Sequence, residues 1–205
     1  MTLARDLWTG NADIAAAALE HPFVRGIGDG SLPPDRFAHY VAQDAFFLDA
    51  FARAYALGVA HSPDRRALET FADLLAGVRQ ELRLHTAYAA RWDVDLPTVE
   101  PAPATLAYTD FVLATASLGR GVDVLCAALT PCLRLYAFLG RSLSARPAAA
   151  YAEWVETYAD PQFESLAGTL EGLLDAYADD SPRIRATYRR GMELELAFLE
   201  AASRA

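Results

Sequence analysis

The chain has 205 residues, 53% of them hydrophobic, and a net charge of −9. It is long enough for one substantial core and too apolar to be disordered. The negative charge argues against nucleic-acid or anionic-membrane partners, which need a cationic surface. Every strongly basic side chain is Arg, and the sequence contains no Lys, so Schiff-base and lysine-general-base mechanisms are excluded.

The apolar residues follow helical spacing nearly throughout, with no period-2 alternation, which predicts an all-α bundle of seven to eight helices in one domain over residues 1–205. A first helix is expected over about residues 3–20, ending before His21-Pro22. The start, Met-Thr-Leu-Ala-Arg-Asp-Leu-Trp, carries an acid and no clean apolar stretch, unlike a secretory leader. Gly26 to Pro34 is the clearest breaker cluster. A long helix follows from Pro34 through Ala60, and Ser62-Pro63-Asp64 opens the next, which reaches Trp92. A proline-rich connection, Leu96 to Pro103, precedes a helix from about Ala104 to Leu118. Gly119-Arg-Gly121 marks a turn. The helix after it contains Pro131 and ends near Ser144; shorter ones are expected at about 147–158 and 161–178. Asp180-Ser181-Pro182 caps a final helix to about Ser203. No apolar run approaches the roughly 18 residues of a membrane span, so the expectation is a cytoplasmic protein without membrane contact.

Residues 127–136 hold the strongest local signal, a proline followed at once by Cys132. Pro131 either kinks a helix or begins a new one. In the second case Thr130 is the N-cap, and free N–H groups with the positive dipole end favour a Cys132 thiolate. Tyr136, four residues on, shares its face. Cys126 lies six residues earlier, too awkwardly for a helical disulfide, and reads as a buried inert thiol.

Acids on otherwise apolar stripes mark the rest of a site. Asp44 falls on the stripe of Phe37, Tyr40, Val41, Leu48 and Phe51. Glu195 falls among Tyr188, Met192, Phe198 and Leu199, where burial raises a carboxylic pKa. Tyr108, Phe111, Val112 and Thr115 share one side of their helix, and Tyr158 closes another. Glu81 and His85 stand at i, i+4, a spacing that di-iron bundles also use. All four His precede residue 86, however, so further ligands are lacking, and a hydrogen-bonded Glu81–His85 pair is expected instead of a metal. The cluster Arg183, Arg185, Arg189 and Arg190 reads as a solvated helix face or a subunit contact.

Taken in order, His21-Pro-Phe-Val, Gly28-Asp-Gly-Ser-Leu-Pro33, Tyr40-x-x-Gln-Asp44, Phe51-Ala-Arg-Ala54, Leu129-Thr-Pro-Cys132-x-x-x-Tyr136, Trp154-x-x-Thr-Tyr158 and Glu195-x-x-Phe198 resemble the thiaminase II (TenA) family across the chain. The resemblance implies a haem-oxygenase-like helical bundle, usually a homotetramer, acting in thiamin salvage without metal or organic cofactor. The family converts 4-amino-5-aminomethyl-2-methylpyrimidine to the hydroxymethyl pyrimidine and also cleaves thiamin. Carried over, Cys132 is the nucleophile and Glu195 the acid/base. Asp44 holds the aminopyrimidine, with Tyr108, Tyr136, Tyr158 and Phe198 around it. Where many members have Tyr three residues after this Asp, this chain has Phe47, which removes a phenol beside the thiol. The alternatives are an oxidase of cofactor biosynthesis resembling the PQQ-synthesis protein, which gives Cys132 no role, and a non-catalytic pyrimidine-binding protein.

Overall fold

A computed structural model describes residues 2–118, 121–145 and 148–204. Among them are ten α-helices and no strand: α1 (Leu3–Gly10), α2 (Ala12–Leu19), α3 (Pro22–Asp29), α4 (Pro34–His61), α5 (Arg65–Arg91), α6 (Pro103–Ser117), α7 (Val122–Leu143), α8 (Ala152–Ala159), α9 (Pro161–Tyr177) and α10 (Pro182–Arg204). Single 3-10 turns at Leu96–Thr98 and Ala149–Tyr151 lead into α6 and α8. The bundle is thus the expected all-α class. The turn expected at 119–121, and the start of the helix expected from 147, lie partly outside the described residues.

Helix starts follow elementary capping chemistry. The Asp64 side chain accepts from the Ala67 N–H at 2.9 Å, and Asp160 accepts from the Gln162 N–H at 2.6 Å. Prolines open α3, α4, α6, α9 and α10, where a missing N–H costs nothing.

Two expectations near the N-terminus need correcting. The helix expected over 3–20 breaks at Asn11, whose Nδ2 donates to the Leu7 carbonyl at 2.8 Å while its Oδ1 accepts from Arg189 of α10 at 3.2 Å. A tertiary partner, invisible locally, holds that break. The segment expected to be a breaker from Gly26 is instead helical to Asp29 and stops at Gly30, whose φ of +82° is left-handed. Gly26 serves packing: a Cβ there would stand 2.9 Å from Leu32 Cβ as the chain turns back.

Helix α7 lies at the centre, packed by α8 and α9 on one side and by α10 and α6 on the other, with α4 and α5 paired across the bundle. It is long and apolar enough to cross a membrane, contrary to the sequence expectation, but most of it is buried inside the bundle. Its apolarity is that of a core helix. Arg134 anchors it to α9 through a bidentate pair with Glu171 at 2.6 and 2.8 Å and a further bond to Glu164 at 2.8 Å.

Each member of the arginine cluster on α10 finds a carboxylate: Arg183 with Asp123, Arg185 with Asp180, Arg189 with Asp13 and Glu193, and Arg190 with Glu193. Only Arg183–Asp123 and Arg189–Asp13 link α10 to other helices, and all of these partly exposed pairs contribute little energy individually.

Candidate active site

A cavity of about 180 Å3 opens between α4, α5, α7, α8, α9 and α10. Its polar lining is Asp44, Tyr55, Glu81, Cys132, Tyr136, Tyr158 and Glu195; Phe47, Phe51, Phe163 and Phe198 supply most of the aromatic wall. The size suits one substituted aromatic ring. Residues expected from four separate helices, α4, α7, α8 and α10, therefore converge.

Helix α7 brings Cys132, but not as the sequence suggested. Pro131 is inside a continuous helix, so no helix begins there. The Thr130 hydroxyl donates back to the Cys126 carbonyl at 2.7 Å instead of capping an N-terminus. Cys132 thus sits mid-helix, with no free N–H groups and no dipole end to favour a thiolate. Burial, followed by the neighbouring Glu195 carboxyl, pushes its pKa well up. The resting group is a thiol beside the Glu195 carboxyl.

Proline in a helix interior costs about 3 kcal/mol or more, and its placement here has a use. The ring packs against Gly191 of α10, where an added Cβ would stand 2.8 Å from Pro131 Cγ. One turn beyond Gly191 is Glu195, and one residue beyond Pro131 is Cys132, so this close approach sets the distance between thiol and carboxyl. Gly191→Ala should push α10 outward, lowering kcat more than tenfold and destabilising the fold by about 1–3 kcal/mol as other overpacked cores do. Steady-state kinetics and thermal melting check this together. Gly140 plays the matching part on the other face, since a Cβ there would lie 2.4 Å from the Tyr158 carbonyl carbon at the end of α8.

Glu195 is 1% exposed and accepts from the Tyr108 hydroxyl at 2.7 Å. Burial raises its pKa to about 7, against the lowering effect of hydrogen bonds from Tyr108 and Cys132. Tyr108 was expected against the substrate, yet it lies behind Glu195 and does not line the cavity. It steers the acid.

Phe47 is buried, edge-on to Tyr108 with ring centroids 4.3 Å apart, and packs on Phe51 and Phe198 at 5.4 and 5.5 Å. Such pairs contribute about 0.5–1.5 kcal/mol each beyond burial. Phe47→Tyr should leave turnover unchanged or raise it, by adding a hydroxyl near the thiol. A large loss in steady-state rate would show that the phenol cannot be accommodated there.

Across the cavity, Trp154 Nε1 donates to the Tyr40 hydroxyl at 3.3 Å, and Tyr40 donates to Tyr136 at 3.2 Å. That order leaves the Tyr136 hydroxyl proton free for the cavity. Tyr158 stacks at a tilt on Tyr136, centroids 4.7 Å apart, and meets the Phe163 edge at 4.9 Å.

Asp44 occupies the opposite wall, its pKa raised by burial and partly offset by His85. The expected Glu81–His85 pair does not form. His85 Nε2 instead contacts the Val41 carbonyl at 2.9 Å, and Nδ1 faces Asp44 Oδ2 at 3.7 Å. A carbonyl on the facing helix outcompetes a flexible carboxylate one turn back. Freed from His85, Glu81 lines the cavity as a third carboxyl, with a pKa raised to about 7 by burial and by Asp44. The stripe Leu74, Val78, Glu81 was a signal for this, as clear as those for Asp44 and Glu195. Among the described residues no three His, Cys, Asp or Glu side chains stand close enough together to hold a metal ion. Cys126 is a buried free thiol whose pKa burial drives up, as expected of an inert core residue.

Raised carboxyl pKa values make stability depend on pH. Unfolded, Glu81 ionises near 4.5; folded, it does so near 7, so between these values the folded chain holds a proton that the unfolded one has lost. Its contribution is full below about pH 4.5 and disappears as pH rises through 7, with an upper value of about 3 kcal/mol. The melting temperature should fall between pH 5 and 8, and Glu81→Gln should flatten that slope.

The TENA/THI-4/PQQC family pattern matches residues 10–205. The chain is 39% identical over 186 residues to an aminopyrimidine aminohydrolase of Halalkalibacterium halodurans, covering 87% of this chain and 83% of that one. It is 32% identical over 211 residues to the bifunctional TH2 protein, mitochondrial, of Arabidopsis thaliana, covering 88% of this chain and 34% of that longer protein. Among solved structures it is similar to a TenA family transcription regulator from Silicibacter sp. TM1040, with a TM-score of 0.91 and 27% identity over 100% of this chain and 98% of that one.

Proposed function

We propose, from the premise that the chain belongs to the TENA/THI-4/PQQC family, that it is a thiamin-salvage hydrolase working by cysteine addition and elimination. Its substrate would be 4-amino-5-aminomethyl-2-methylpyrimidine, converted to the hydroxymethyl pyrimidine, with thiamin cleaved as well. The observation that carries this reading is the Cys132–Glu195 pair facing Asp44 across a cavity of one-ring size.

The chemistry follows from the residues. A 4-aminopyrimidine edge offers an exocyclic N–H donor beside a ring-nitrogen acceptor, and a carboxyl group complements both. Asp44 therefore holds that edge, and a proton on the ring nitrogen makes the ring electrophilic. Glu195 as carboxylate takes the thiol proton while Cys132 Sγ bonds to a ring carbon. The dearomatised adduct then expels the amine from the 5-methylene carbon, with the proton on Glu195 returning to the leaving nitrogen. Water adds at the methylene and gives its proton to Glu195, the C–S bond breaks as that proton returns to Cys132 Sγ, and aromaticity returns. Every step is redox-neutral and draws only on water, so neither metal nor organic cofactor is called for. A carboxyl with a pKa near 7 suits both directions of transfer at neutral pH. Tyr136, Tyr158 and Phe198 enclose the ring and exclude bulk water.

The deciding experiment measures product formation from the aminomethyl pyrimidine and from thiamin side by side, in metal-free buffer. Hydroxymethyl pyrimidine from either supports the reading. Tight binding of the product without turnover of either supports the pyrimidine-binding alternative. The same reading includes a cytoplasmic homotetramer, for which light scattering should give four times the chain mass of 22.3 kDa.

A further inference from the structure

His85 is buried, stands beside the site, and has no part in the steps above. Its ring is fixed from both sides. The Val41 carbonyl, 2.9 Å from Nε2, can only accept, so Nε2 carries a hydrogen. Nδ1 then faces Asp44 Oδ2 at 3.7 Å with both groups largely buried. A neutral ring in this tautomer would point a lone pair at a carboxylate, which is unfavourable in a low-dielectric setting. The arrangement is satisfied when a single proton is held between Nδ1 and Asp44.

We infer that His85 stores, through Asp44, the proton that the substrate's ring nitrogen receives on binding. Before binding, that one proton lies between His85 Nδ1 and Asp44 Oδ2. After binding, the proton sits on the pyrimidine ring, Asp44 accepts from both the ring N–H and the exocyclic amine, and the positive ring offsets the carboxylate that the neutral His85 Nδ1 then faces. Charge and proton number are unchanged, so the ring is activated without taking a proton from solvent. The proton returns to His85 when aromaticity is restored and product leaves. His85 never touches the substrate; it is a positioning residue acting through Asp44.

Other groups facing Asp44 do not do the same work. Glu81 on α5 and Glu195 on α10 are acids that disfavour a second negative charge; Tyr40 on α4, Tyr136 and Cys132 on α7, and Tyr158 on α8 all have pKa values pushed far above neutrality. His85 alone among these neighbours can be a cation. It also lines a second cavity of about 480 Å3, shared with Asp44, Glu81 and Tyr158 and bounded outside by the Arg91–Glu153 ion pair at 2.7 Å.

The inference rests on the aminopyrimidine reading and is tested with the product, which carries the same ring edge. Calorimetric titration of 4-amino-5-hydroxymethyl-2-methylpyrimidine in buffers of different ionisation enthalpy reads the protons taken up on binding. Wild type should take up close to none between pH 6 and 7, and His85→Gln, which keeps a donor for Val41, should take up about one more. Equal uptake in wild type and His85→Gln overturns the inference while leaving the function intact. Should His85→Gln not fold, a full proton taken up by wild type overturns it just as well. Failure of the product to bind wild type overturns the function and this inference together.

Discussion

Cys132→Ser is expected to abolish hydrolysis of the aminomethyl pyrimidine, with kcat at least about 10³-fold lower and a melting temperature close to wild type. Sulfur is the better nucleophile toward an electrophilic ring carbon and the better leaving group when aromaticity returns; a serine hydroxyl is weaker in both roles. The structure adds a reason. Cys132 gains no help from a helix terminus, because Pro131 lies within α7. Its reactivity depends on transferring a proton to Glu195 and on the softness of sulfur itself. Serine keeps the hydrogen bond to Glu195 and nearly the same volume, so folding and product binding should survive. Steady-state kinetics with calorimetric binding make the comparison, and near-wild-type turnover would sink the covalent mechanism.

Glu195→Gln is expected to lower kcat by about 10²–10⁴-fold, the usual worth of a positioned acid/base. The amide can still accept from Tyr108, now at 2.7 Å from Oε1, but cannot take the thiol proton. In wild type the free-enzyme rate should fall below about pH 7, because the carboxylate is the form that receives the proton and burial sets its pKa there. The variant should lose that limb. Stability gives a second readout of opposite sign. Glu195 ionises near 4.5 unfolded and near 7 folded, so the native state is favoured by a bound proton at low pH and loses that advantage as pH rises through 7. The amide carries no such penalty, so the variant should be the more stable protein at pH 8. A Glu195→Gln enzyme with wild-type kcat and an intact acid limb would remove Glu195 from the chemistry.

Both expectations depend on a neighbourhood that was only partly legible in the chain. Helical periodicity gave the class and most boundaries, since apolar stripes at 3.6-residue spacing are a local signal. It failed where a distant group decides the backbone, as at Asn11, held by Arg189, and at Gly26, packed on its own return loop. For the site, misplaced acids on apolar stripes identified Asp44 and Glu195, because burying an acid is costly and needs a reason. Glu81 carried the same signal and was missed, since its spacing to His85 invited a pairing that Val41 and Asp44 pre-empt. The stripe of Tyr108 gives the right side of its helix, while the residue itself lies a layer behind the cavity wall. A stripe gives direction, not depth.

The sequence by itself determined an all-helical chain, a thiol beside a proline, and acids facing inward on separate helices, because each of these is written in local spacing and composition. Tertiary structure alone decided what those groups are. It made Pro131 an interior residue seated on Gly191 and turned an expected thiolate into a thiol dependent on Glu195. It also gave His85 to Asp44 and left Glu81 to the cavity. Protonation state and hydrogen-bond partner depend on burial and on groups many residues away, and no local pattern encodes either.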